Sequence, residues 1–138
     1  MTLARMLRGI GAKTVVVARN PGQLARAFEA GHEAVPLATL PEQAASADVI
    51  FNTVPAFVLT AEVLDRAAPP VVIIDLASAP GGTDFAAARA RGLDAVLAPA
   101  LPGRVAPRTA GEILAKVVLE TLTRELAPTG LTALNGGA

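Results

Sequence analysis

The string "DLASAPGGTDF" (75 to 85) joins a carboxylate that closes an apolar run to three small residues and two glycines, ahead of a helix-capping Thr83 or Asp84. An acid at the end of a buried strand can serve proton chemistry, and Gly81 and Gly82 allow close backbone approach to a ligand. By position Asp75 is a candidate catalytic group, with Ala77 and Ser78 facing a bound cofactor. Alternatively Asp75 is a buried, hydrogen-bonded acid that orders its own loop. A second string, "PALPGRVAPRTAGE", sets Arg104 and Arg108 beside the start of a helix capped by Thr109. Cations next to unpaired helix N–H groups suit a carboxylate-bearing substrate. Arg104, Arg108 and Thr109 are therefore candidate substrate contacts, and Arg108 is a second candidate for catalysis. Either arginine alternatively decorates the surface.

Two further strand ends carry usable groups. Arg19, followed by Asn20, stands where a dinucleotide fold reads the adenosine ribose, and a cation there accepts a 2′-phosphate where an acid would select a free hydroxyl. The competing reading is a solvated arginine at a strand end. "FNTVPAF" ends in a Thr-Val-Pro turn from which Asn52, Thr53, Val54 and Pro55 can face a nucleotide, or in which the polar groups satisfy only their own turn.

Other patterns dissolve on inspection. Gly9-Ile10-Gly11 has Thr14 where a third glycine belongs and leaves a helix instead of entering one. "GAKT" lacks both glycines of a phosphate loop. His32, the only histidine, follows a helix-ending glycine and is expected at the surface, so no Ser-His-Asp or metal constellation assembles.

The elements that must position these groups alternate in type. "KTVVVA" (13 to 18), "DVIFNTV" (48 to 54), "VVIIDLA" (71 to 77) and "DAVLAP" (94 to 99) are short β-branched runs of the kind a parallel sheet buries on both faces, with "EAVPL" (33 to 37) a weaker fifth. Between them lie helices with readable ends. Asn20-Pro21 opens one that closes at Gly31, "TLPEQAASA" is a short second, and Thr60 can cap "AEVLDRAA". Thr83 or Asp84 can cap "FAAARAR", and Thr109 with Glu112 forms a capping box for a helix that Pro128 ends. Leu3, Met6, Leu7 and Ile10 make one apolar face on a helix at the very start. The expectation is an α/β fold, a Rossmann-like doubly wound parallel sheet over residues 1 to 127, with 128 to 138 as a disordered tail.

Composition narrows the function. Twelve basic residues balance twelve acidic ones and aromatics make up 3%, which argues against a nucleic-acid partner. The chain has no cysteine, which removes thiolate catalysis and suits a reducing cytoplasm. Mean hydropathy is +0.49, yet the longest apolar stretch, "VIFNTVPAFVLTA", is broken by Asn52 and Pro55, so no membrane span is expected.

Taken together, "MTLARML", "GAKTVVVAR", "FNTVPAFVL", "IIDLASAPGGTDF" and "LAPALPGRVAPRTAGEILA", in this order and spacing, resemble the carboxyl-terminal dinucleotide-binding domain of the A subunits of the dipicolinate synthase family. The resemblance covers residues 1 to about 126. It implies an oxidoreductase subunit that binds NADP, with NAD possible, and works as an oligomer with the flavoprotein-like B subunit of dipicolinate synthase in the mother-cell cytoplasm of a sporulating bacterium. The implied reaction dehydrogenates a dihydrodipicolinate, a small dicarboxylate, to pyridine-2,6-dicarboxylate. It also implies that Arg19 and Asn20 hold the ribose phosphate. Asn52 to Pro55 then line the nucleotide, and Asp75, Ala77, Ser78 and the 102 to 109 loop face nicotinamide and substrate. The family carries a strand and a glycine-rich phosphate loop just before the "MTLAR" helix. The chain is thus expected to be truncated at its N-terminus, to leave a gap between the strands at 13 to 18 and 48 to 54, and neither to bind NADP tightly nor to fold robustly alone. Two rival readings are a reductase of the 2-hydroxyacid dehydrogenase type, which would need a histidine near the domain's end, and a non-catalytic Rossmann module whose first helix needs a partner chain.

Overall fold

The structure, a computed structural model, describes residues 2–99 and Arg108. Arg104, Thr109, the expected last helix, the boundary at 127 and the tail lie outside the described residues. The chain divides into two compact units, Met1–Pro99 and Ala100–Ala138; the elements below belong to the first.

Helices and strands alternate as α1 (Thr2–Gly9), β1 (Val15–Ala18), α2 (Pro21–Glu29), β2 (Glu33–Pro36), a 3-10 turn (Leu37–Thr39) and α3 (Leu40–Ala44), followed by β3 (Val49–Asn52), α4 (Ala61–Leu64), β4 (Val72–Asp75), α5 (Phe85–Ala90) and β5 (Asp94–Leu97). Local chemistry sets the ends. The Asn20 side chain accepts the Gly22 N–H at 2.7 Å and Pro21 supplies the first helical residue of α2, the arrangement that satisfies an orphan donor. Of the two possible caps for α5, Asp84 performs the role, accepting the Ala87 N–H at 2.8 Å. Thr60 adopts the extended backbone of a cap but makes no capping bond with its side chain.

All strand pairings among the described residues are parallel, and they fall into two sheets, β1-β2 and β3-β4-β5. The doubly wound sheet is therefore divided between β1 and β3, the position at which a gap was expected. Among the described residues each of these two strands is paired along one edge only. The two halves are unequal in their interiors. Leu59, Leu64 and Ile73 are almost wholly enclosed and anchor a core with Val63, Val71, Ala88 and Leu93, all from the second half. Ala44 of α3 joins that core, whereas around β1 and β2 Ala27 is the buried apolar residue and every residue of β1 is half-buried. Helix α1 buries none of its residues, and Met6 and Ile10 on its apolar face are 67% and 83% exposed. It is tied down by Arg8, whose Nη1 donates to the Ala30 carbonyl at 2.9 Å, a cation at the C-terminus of α2.

Candidate functional site

Parallel pairing brings the carboxyl ends of the strands to one edge, and the register sets Asn52 beside Asp75 and Asp75 beside Leu97. Asp75 is fully buried. Its Oδ1 accepts from Asn52 Nδ2 at 3.0 Å and the Ala77 N–H at 3.0 Å. Its Oδ2 accepts from the Gly82 N–H at 2.8 Å and the Thr83 hydroxyl at 2.6 Å. Burial pushes a carboxyl's pKa up, but hydrogen bonds from Thr83, Asn52, Gly82 and Ala77 outweigh it and hold Asp75 below the ordinary value of 3.8. Four donors fill the accepting capacity of the two oxygens. This is the geometry of an acid that orders its loop, the alternative reading of Asp75, and it leaves no lone pair directed outward.

The glycines serve the same enclosure. Gly81 lies at φ +88°, and a Cβ there would stand 2.8 Å from Asp75 Oδ2. A Cβ on Gly82 would meet the Ala56 and Val54 carbonyl oxygens at 2.2 and 2.8 Å. The close backbone approach expected toward a ligand is an approach to the neighbouring loop of the same chain. The Gly82 carbonyl accepts from the N–H groups of Val58 and Leu59, and Leu59 returns a carbonyl to the Asp84 N–H.

Asn52 and Ala77 are likewise turned inward, where exposed contact with a nucleotide was expected. Asn52 is buried, and besides its bond to Asp75 it grips Val54 at both ends, Nδ2 donating to the carbonyl at 3.1 Å and Oδ1 accepting the N–H at 3.0 Å. Ala77 is buried and its N–H is spent on Asp75. Thr53, Val54, Pro55 and Ser78 remain on the outside, as exposed tips of the two loops.

Arg19 and Asn20 follow β1 and are both exposed; the Asn20 side-chain oxygen is committed to capping α2. Arg19 opens on a cleft of about 330 Å³ whose other walls include Leu37, Leu40, Phe57, Val58 and Glu62. The cleft thus joins the ends of β1 and β2 to the loop after β3, across the division between the sheets. A larger hollow of about 440 Å³ lies at the opposite end of β5, against Leu93 and Asp94, away from these groups. Arg108 is exposed in helical backbone, takes part in an interaction of its own, and belongs to the second unit.

The expectation of a surface position for His32 is overturned. It is 3% exposed, and its Nδ1 and the Thr14 hydroxyl share a hydrogen bond of 2.5 Å. Gly31, at φ +80°, turns the chain so sharply out of α2 that His32 enters the sheet region directly. Phe57, Glu62 and Thr83 are the groups sequence reasoning missed. The signal for Thr83 was available: two apolar strands of equal length each end in one polar residue, Asn52 and Asp75, and such a pair needs a third donor nearby.

Among the described residues no helix is long and apolar enough to cross a membrane, and no cluster of histidine, aspartate and glutamate could hold a metal ion. No family model matches the chain. It is 46% identical over 132 residues to the A subunit of dipicolinate synthase from Bacillus subtilis (strain 168), covering 94% of this chain and 44% of that protein. The crystal structure of the dipicolinate synthase A subunit from Bacillus halodurans superposes with a TM-score of 0.81 at 46% identity, over 88% of this chain and 42% of the other. The corresponding crystal structure from Bacillus subtilis gives 0.83 at 44%, over 91% and 42%. Glutamyl-tRNA reductase from Methanopyrus kandleri, at 23% identity over 70% of this chain and 26% of its own, shares the fold with a TM-score of 0.56. The chain spans less than half the length of the dipicolinate synthase proteins it matches. In sequence and in its Rossmann-like fold, this chain is homologous to the A subunits of dipicolinate synthase.

Proposed function

We propose that this chain is the nucleotide-binding part of an NADP-linked dehydrogenase that converts a dihydrodipicolinate to dipicolinate, acting with a second, flavoprotein-like subunit in the cytoplasm of a sporulating mother cell. The observation that carries the reading is the position of Arg19. It stands at the carboxyl end of β1 and on a cleft at the division between two parallel sheets, the place where open α/β folds bind nucleotides. The residues there fit the group. Arg19 offers a fixed cation to a ribose phosphate, Leu37, Leu40 and Phe57 offer an apolar bed for a flat base, and Asn20 sits beside them at the start of α2. Thr53, Val54, Pro55 and Ser78 are the exposed groups that carry the site onward toward the reacting rings.

NADP bound there supplies the hydride-accepting ring for the dehydrogenation. The chain's own work is to hold and orient, and the gain of aromaticity in the product supplies the driving force. Arg104, Arg108 and Thr109 are proposed to receive the substrate's carboxylates, for which bidentate arginine contacts are suited.

The test is a charge reversal at the ribose reader. In the native protein, Arg19→Asp should move the ratio of NADPH to NADH affinity by at least about a hundredfold toward NADH, the sum of a lost charge-assisted contact and a new repulsion. Fluorescence titration of each nucleotide reads it, and an unchanged ratio removes Arg19 from the site.

A further inference from the structure

Asp75 does not face the cleft, yet everything that shapes the turn after β3 runs through it. Asn52 Nδ2 points at two acceptors, Asp75 Oδ1 and the Val54 carbonyl, while Asn52 Oδ1 meets the Val54 N–H. The carboxylate fixes which end of the Asn52 amide carries the nitrogen, since the reverse orientation would set the Asn52 oxygen against both acceptors. The amide then clamps both backbone groups of Val54, and Thr53 and Pro55 are displayed on either side of that clamp. On its other oxygen the same carboxylate holds Gly82 and Thr83. Gly82 in turn receives the N–H groups of Val58 and Leu59, so the loop is pinned at both its beginning and its end.

We infer that Asp75 is a positioning residue, which acts through Asn52 and Thr83 to hold the 53 to 57 loop in the shape that receives the nucleotide. The inference rests on the dinucleotide reading above. An asparagine cannot stand in. Backbone N–H groups approach both oxygens, Ala77 on one side and Gly82 on the other, so the amide nitrogen of Asp75→Asn faces a donor whichever way it turns. Thr83 offers a milder probe of the same clamp, because Thr83→Val keeps the shape and removes the hydroxyl, whereas Thr83→Ser keeps the hydroxyl.

Two measurements separate the outcomes. In the native protein, NADPH titration should show affinity reduced by at least about tenfold in Asp75→Asn and several-fold in Thr83→Val, with Thr83→Ser within about twofold of the parent. Circular dichroism should show all of these variants folded. In the native protein without any nucleotide, hydrogen exchange at the Val54 amide should speed by about tenfold in Thr83→Val, while amides of β1 and α2 keep their rates. If the parent fails to bind NADPH while Val54 exchange responds, the dinucleotide reading falls and the clamp stands. Parental affinity in Asp75→Asn and Thr83→Val, or a Val54 amide indifferent to Thr83→Val, overturns the inference.

Discussion

At the scale of single residues, the molecule spends its best hydrogen-bonding geometry on a group that touches no solvent. Asp75 stabilises the fold more as an anion than as a neutral acid. Its folded pKa is depressed, so its contribution is present above the unfolded value of 3.8 and is lost as pH falls through the lower folded value. Urea unfolding followed from about pH 6 to about pH 2.5 should therefore show stability falling below about pH 4, and Asp75→Asn should flatten that part of the curve. At neutral pH, removing the carboxylate in Asp75→Ala leaves the donors of Ala77, Gly82 and Thr83 unpaired in a buried place. The expected cost is about 3 kcal/mol or more, read as a lowered urea midpoint. These roles were half legible in the sequence. An acid closing an apolar strand announces burial or chemistry without choosing between them, and the choice depends on Asn52 and Thr83, which are 23 and 8 residues away. His32 was not legible, because its burial follows from the angle at which Gly31 delivers the chain.

At the scale of elements, the alternation of β-branched runs and capped helices sufficed to place the five strands within a few residues of their observed bounds. What periodicity could not supply was the way the loops interlock. In sequence the pair of glycines implies room for a ligand, whereas in the fold Gly82 is the seat on which the 54 to 56 loop rests. Gly82→Ala should cost about 3 kcal/mol, because the new methyl meets backbone carbonyl oxygens that cannot swing aside; an unchanged thermal midpoint would contradict the close approach. The division of the sheet makes a second prediction. β4 is paired on both sides, while among the described residues β1 and β3 are each paired on one. Amides of β4 should therefore exchange far more slowly than the alternate amides of β1 and β3 that face the open edges, by about a hundredfold or more. Uniform protection across all three strands would mean that the edges are covered in solution.

At the scale of the whole molecule, the most exposed large apolar side chains among the described residues are Met6, Ile10 and Phe28, at 67%, 83% and 75%, all on or beside the first two helices, while the enclosed core is drawn from the second half and α3. Such surface favours association. Sedimentation of the 138-residue chain should show self-association that Ile10→Lys and Phe28→Lys together reduce; a monomer indifferent to both changes would show that the face is covered within the chain. The Rossmann-like class was legible at this scale from the order of the blocks. The inequality of the halves was not, since β1 and β4 are similar in composition and differ in what they pair with.

The register also bears on how the molecule acquires its shape. Thr14 meets His32 18 residues on, Asn52 meets Asp75 23 residues on, and each sheet is assembled from one uninterrupted stretch of chain. Loops this short close at small entropic cost, and topologies rich in such contacts fold fast. During synthesis the β1-α2-β2 stretch emerges from the ribosome ahead of β3. It has its own ladder and its own cap by then, but little core, so it waits as a weakly held unit. The Asn52–Asp75 lock can close only when β4 emerges, which makes the fourth strand the point at which the strand-end loops commit to their final arrangement.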